Sequence, residues 1–244
     1  SRMQEAVDRI FLALERGEMI TVHGDYDADG VCGSTVLMST LRDIIRQFPH
    51  FSISQFPTVF LPHREKDGYG LSIKTVEHLH EHEQTKLIIT VDCGIRNSAE
   101  IAQAKKKGLE TIVLDHHLPP ETLPNCIVLD PKQPGDRYPF SDLCGTGVAF
   151  KLLQALASEA AQYTKRFSSE ELAKWLKWQM DLVGLATIVD MGPLVDENRV
   201  LAKFGLIALQ KSRRMGLQKR YEVAGIDPAT IDTYSASFLI GPRL

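Results

Sequence analysis

No apolar run in the 244 residues approaches the ~18 that a membrane span needs. Ser1 to Gly17 also lacks the apolar centre of a secretory signal. The four cysteines, Cys32, Cys93, Cys126 and Cys144, show no C-x-x-C spacing. That argues against a zinc-finger framework and for reduced structural thiols in a cytoplasmic protein. No G-x-G-x-x-G follows the first apolar run, so a dinucleotide-binding reading fails. There is no internal repeat and no low-complexity linker. Charge of one sign is missing too: the formal net charge is −3. This sum does not mark a nucleic-acid binder, but it counts as free any carboxylate that a bound cation would neutralise.

What the chain does have is acid at the ends of apolar runs. His23-Gly24-Asp25-Tyr26-Asp27-Ala28-Asp29-Gly30 follows Met19 to Val22, and Asp92-Cys93-Gly94 follows Leu87 to Val91. Asp115-His116-His117 follows Thr111 to Leu114, and Asp190 follows Ala186 to Val189. Any one Asp after a strand is more often a helix cap or a turn former than a ligand. Four such blocks together outweigh that reading. Converging carboxylates raise one another's pKa values unless divalent cations neutralise them. Asp and His suit Mn²⁺ or Mg²⁺, and two such ions roughly 3.5–4 Å apart clamp the attacking and leaving oxygens of a phosphoryl displacement. In an extended segment Asp27 and Asp29 fall on one side, and the turn into Gly30 swings both past the strand end. Asp25 and Asp115 are the members best suited to supporting or capping roles.

The order of these blocks resembles the DHH phosphoesterase superfamily, named for a triplet that stands here as Asp115-His116-His117. Within it the chain resembles the branch of single-strand-specific 5′→3′ exonucleases, through Gly68-Tyr69-Gly70-Leu71-Ser72, residues 130–136 (DPKQPGD), residues 145–152 (GTGVAFKL), Glu197-Asn198-Arg199 and Ile240-Gly241-Pro242-Arg243. This resemblance covers nearly the whole chain. It implies one metal on His23, Asp27 and Asp92, a second on Asp29, Asp92, His116 and Asp190, and Asp92 as the bridge. It makes Asp92, His117 and Asp115 the catalytic set, with His117 facing the substrate phosphate. Val189, Gly192 and Thr146 depart from the residues usual in that branch without removing a ligand. The implied activity is metal-assisted hydrolysis of single-stranded DNA to 5′-mononucleotides in repair and recombination. A single-strand-binding protein and a helicase are the implied partners. Another DHH-type hydrolase, acting on nanoRNA, cyclic dinucleotides or pyrophosphate, is the alternative; a non-enzymatic replication scaffold is a third reading. The terminal Ile240 to Arg243 block resembles the opening of a motif that continues into a linker, which implies a second, DHHA1-like domain beyond residue 244 and a substrate-phosphate role for Arg243.

Periodicity gives an α/β fold. Strands are expected at 19–23, 53–61, 87–91, 111–114 and 126–129, and helices at 5–16, 31–48, 72–83 and 97–107. This rhythm predicts a doubly wound, largely parallel sheet over residues 1–144, with ligands at the carboxyl ends of its strands. Residues 145–244 read as a mostly helical continuation, with helices at 146–159, 169–189, 197–210 and 228–237.

Gly145-Thr146-Gly147 opens a helix, where amides and the positive helix end suit a phosphate; glycines for close packing are the equal alternative. Arg64 and Tyr69 share one loop, a guanidinium for phosphate and a ring for a base. Lys105 to Lys107 before Gly108 reads as a helix C-terminus, and the basic stretch from Lys211 to Arg220 as either a phosphate track or a solvated helix face. Trp175 and Trp178 read as inter-helix packing, Phe48, Phe51, Phe56 and Phe60 as core. His78, His80 and His82 read as solvated surface.

Overall fold

A computed structural model describes residues 2–47, 56–164 and 169–244. Five strands, β1 (Ile20–Gly24), β2 (Thr58–Phe60), β3 (Leu87–Val91), β4 (Glu110–Leu114) and β5 (Ile127–Leu129), form one sheet in the order β2-β1-β3-β4-β5. Every pairing is parallel. The helices are α1 (Met3–Glu15), α2 (Ala28–Gln47), α3 (Ile73–Glu81), α4 (Ser98–Lys106), α5 (Gly145–Thr164), α6 (Ser169–Val189), α7 (Asp196–Leu209) and α8 (Met215–Ala224). A sheet covered on both faces needs strands that are apolar throughout, which is why β1 and β3 are buried at every residue.

The period of two sorts the strand side chains between two cores. Ile20, Val22, Leu87, Ile89, Val91, Ile112 and Leu114 face α1, α2 and α5. Ile88, Val113 and Val128 face the other way, against Val76 and Leu79 of α3 and Ile101 and Ala104 of α4. The first core runs from Ala6 to Ile240, so residues 1–144 and 145–244 share it. At the α6–α7 crossing, a Cβ on Gly184 would lie 2.4 Å from the Cα of Gly205; only glycine lets the two backbones touch. Among the described residues no helix is long and apolar enough to cross a membrane.

The structure corrects several expectations. α2 starts at Ala28, three residues early, because Asp27 Oδ1 accepts from the amides of Asp29 and Gly30, both at 3.0 Å; Asp29 is therefore helical, not extended. Of the 53–61 strand, Thr58–Phe60 is observed, while Phe48 and Phe51 lie outside the described residues. Phe56 is half exposed, not core. The expected 228–237 helix is a short turn at Pro228–Thr230 and a separate wide turn at Ser235–Ile240, interrupted by extended Ile231. α8 was not expected as a distinct element; Leu217 and Tyr221 bury its inner face and left-handed Gly225 ends it. Trp175 does join helices, its indole donating to Asp43 at 3.0 Å.

Candidate metal centre

The strand order reverses at β1, and the crevice beyond the carboxyl ends of β1 and β3 is where such sheets bind ligands. His23 is the penultimate residue of β1, Asp92 follows β3, Asp115 to His117 follow β4, and Asp190 follows α6. The structure brings these blocks together. His116 stands at the middle: its Nε2 is 3.1 Å from Asp92 Oδ1 and 3.9 Å from Asp29 Oδ2, and its Nδ1 is 3.9 Å from Asp190 Oδ2. Three sets of ligand atoms lie within 4.8 Å of one another: Asp29 with His116 and Asp190, Asp92 with His116 and His117, and Asp25 with Asp27 and Asp92. Asp92 belongs to two of the three. His23 is in none of them, whereas Asp25, expected only to support, is.

Hydrogen bonding tests whether these residues fit a cation. Among the described residues, His23 Nε2, Asp25 Oδ1, Asp92 Oδ1 and His116 Nε2 are buried without a hydrogen-bond partner. Four orphans in the four-block constellation are costly unless a ligand satisfies them. Oxygen and imidazole donors suit Mn²⁺ or Mg²⁺. The residues fit the metal.

The electrostatics agree. Burial, then the charges of Asp29 and Asp27, pushes Asp92 well above the usual carboxylate range. The same causes lift Asp190 to about 7, and burial lifts Asp25 to about 6. Burial lowers His23 to about 4 and also lowers His116, leaving both neutral and able to donate a lone pair near neutral pH.

Asp115 behaves differently. Its Oδ1 accepts from the amides of His116 (2.8 Å) and His117 (3.2 Å) and faces His117 Nδ1 at 2.8 Å, while Oδ2 accepts from the Ile95 amide at 2.9 Å. Against the effect of burial, those bonds hold its pKa below the ordinary value. Both Asp115 oxygens are engaged in this way, by its own loop and by Ile95, a geometry that suits positioning His116 and His117. The Asp115 contact in turn raises the pKa of His117, whose side chain is 41% exposed at the mouth.

The backbone carries strain here. Asp92 has φ +62° and Met191, next to Asp190, has φ +60°, both uncommon for residues with a Cβ. Gly145 makes room, since a Cβ there would meet Asp92 Cβ at 2.6 Å. The expected phosphate loop is turned inward: the amides of Gly145 (2.6 Å) and Thr146 (2.9 Å) donate to the Asp29 carboxylate, the Thr146 hydroxyl to the Asp29 carbonyl, and the Gly147 amide faces Cys144 Sγ. All three residues are buried, so the loop holds Asp29.

On the rim, the Tyr69 hydroxyl donates to the Asp92 carbonyl at 3.1 Å and its ring stands edge-on to His117. Arg64 lies over the Tyr26 ring at 4.5 Å. Arg243 donates to the Leu239 carbonyl, and the turn before it packs Gly241 on Val189, one residue from Asp190. Sequence reasoning left Asp130 out of the site, although it ends β5 as Asp92 ends β3. Burial lifts it to about 6 and its Oδ2 has no partner.

Together, a doubly wound parallel sheet and a carboxylate-histidine cluster at its switch point define an α/β protein with a candidate metal centre. Residues 19–177 match the DHH family, N-terminal domain, and the chain belongs to that family. It is 38% identical over 243 residues to the single-stranded-DNA-specific exonuclease RecJ of Bacillus subtilis, covering 99% of this chain and 28% of that protein. Against RecJ of Thermus thermophilus the identity is 36%, over 99% of this chain and 32% of that protein. The chain thus spans about a third of these curated relatives. A crystal structure of exonuclease RecJ bound to manganese superposes with a TM-score of 0.80 at 34% identity, covering 100% of this chain and 56% of that one. The Thermus thermophilus RecJ complex with Mn²⁺ gives 0.74 at 32% identity, covering 99% and 32%.

Proposed function

We propose that this chain hydrolyses single-stranded DNA from its 5′ end to 5′-mononucleotides, using two divalent cations, Mn²⁺ or Mg²⁺. The observation that carries the reading is the set of buried, unpartnered Asp and His atoms at the strand ends of a chain similar to RecJ along its whole length. Asp25, Asp27 and Asp92, with His23 beside them, would hold one ion; Asp29, His116, Asp190 and Asp92 would hold the other. When bound, such a pair supplies Lewis acidity and lowers the pKa of a coordinated water.

The chain's own residues do the rest. Asp29 is held by the α5 amides, which fixes one wall of the centre. His117, whose pKa the Asp115 contact raises, offers an N–H to a non-bridging phosphate oxygen as charge develops there. Tyr69 and Arg64 line the approach, a ring for a base and a guanidinium for a phosphate. Residues 1–144 and 145–244 work as one catalytic unit. The reading carries with it a cytoplasmic role in repair and recombination, with a helicase and a single-strand-binding protein supplying substrate.

Single-stranded oligonucleotides labelled at the 5′ or 3′ end, in DNA and RNA versions, test the proposal. With Mn²⁺, the 5′-labelled DNA should yield labelled mononucleotide from the first time points while the 3′-labelled strand shortens stepwise; EDTA should stop both. Opposite polarity, or a preference for short RNA, would overturn it in favour of another DHH-type phosphodiesterase.

A further inference from the structure

A succession of rings leads from the metal centre to the surface. Phe60 stacks on His23 with centroids 5.5 Å apart, His78 tilts against Phe60 at 5.9 Å, and His82 lies 5.1 Å from His78. His78 belongs to the last turn of α3 and His82 follows its end, with the His82 amide donating to the His78 carbonyl at 2.9 Å. That bond keeps helical geometry between residues four apart, so both imidazoles occupy one face. Both are exposed. His80, two residues from each, is directed to another face.

Two imidazoles at i and i+4 on one helix face are the arrangement that seats zinc in helical metal sites. Two further observations point to a cation here. Glu83 Oε1 lies 4.0 Å from His78 Nε2, and the pair sits at the carboxyl end of α3, where free carbonyls and the helix dipole favour positive charge.

We propose that His78 and His82, with Glu83 as third ligand once the exposed side chains turn toward one ion, form an accessory site for a borderline transition ion such as Zn²⁺, Ni²⁺ or Cu²⁺. The site goes beyond the proposed hydrolysis and does not depend on it. Imidazole suits these ions, whereas the carboxylate-rich centre suits Mn²⁺ and Mg²⁺. The Phe60 ring stands between His78 and His23, so the two sites share no ligand.

Zinc titration of the untagged protein by calorimetry, with Mn²⁺ stoichiometry measured in parallel, tests the site. The double variant His78→Asn/His82→Asn should bind one zinc equivalent fewer than wild type, keep its Mn²⁺ equivalents and keep its far-ultraviolet dichroism. His80→Asn should match wild type, and Glu83→Gln should weaken the accessory equivalent about tenfold. The assignment is overturned if the double variant retains the full zinc stoichiometry, if His80→Asn loses the same equivalent, or if the double variant also loses Mn²⁺. None of these outcomes depends on whether the protein cleaves DNA.

Discussion

Asp115 accepts hydrogen bonds on both oxygens and gives none of them to the other acids, which makes it the organiser of the loop that carries its two neighbouring histidines. His116 turns into the carboxylates and His117 outward, so adjacent residues of one type take different work. His117→Ala should therefore keep its metals by calorimetry yet lose rate by roughly 10²–10⁴; loss of a metal equivalent instead would make His117 a ligand. The same contact sets a pH dependence. Asp115 raises the His117 pKa, so the protonated form persists to higher pH and the rate should fall as pH rises through that raised value. In Asp115→Asn the raising charge is gone, and the fall in a pH–rate profile should move to lower pH. An unshifted profile would detach His117 from the proton it is assigned.

At the scale of elements, two helix N-termini hold two of the acids: α2 begins on Asp27, and α5 begins on Asp29. Gly145→Ala would drive a Cβ into Asp92 and open this arrangement. The expected outcome is a loss of about 1–3 kcal/mol in thermal unfolding, typical of overpacking, together with weaker Mn²⁺ binding; a variant with wild-type metal affinity would show that α5 does not position the centre. β1, β3, β4 and β5 were legible in the sequence because each is a largely apolar run ended by Asp, His or Gly, whereas β2, observed at Thr58–Phe60, runs on into Leu61 and Pro62 with no such stop. The direction of the Gly145 and Thr146 amides was not, since an internal carboxylate and a substrate phosphate are both anions and ask for the same loop. α8 was hidden because Leu217 and Tyr221 are its only buried residues amid Arg214, Lys219 and Arg220. The start of α2 was missed because an Asp that caps a helix and an Asp that binds a metal read identically.

For the molecule as a whole, the proposed centre should couple folding to protons and to metal. Asp190 and Asp25 have folded values of about 7 and about 6, raised from 3.8. A raised carboxyl contributes stability that is complete below its unfolded value and lost as pH rises through the folded one. In EDTA these groups should therefore cost stability between about pH 4 and 7. Mn²⁺ must displace the same protons to bind, so the Tm difference between Mn²⁺ and EDTA should be small at pH 5 and grow through pH 7.5; a difference independent of pH would remove these carboxyls from the ligand set. Sheet, α5 and α6 all converge on Asp92, the carboxylate placed in two of the three ligand groups. The rate of 5′-mononucleotide release by Asp92→Ala under saturating Mn²⁺, with folding checked by circular dichroism, tests that convergence most directly. The account predicts a folded protein slowed by at least about three orders of magnitude, and a variant keeping more than about a tenth of the wild-type rate would contradict it.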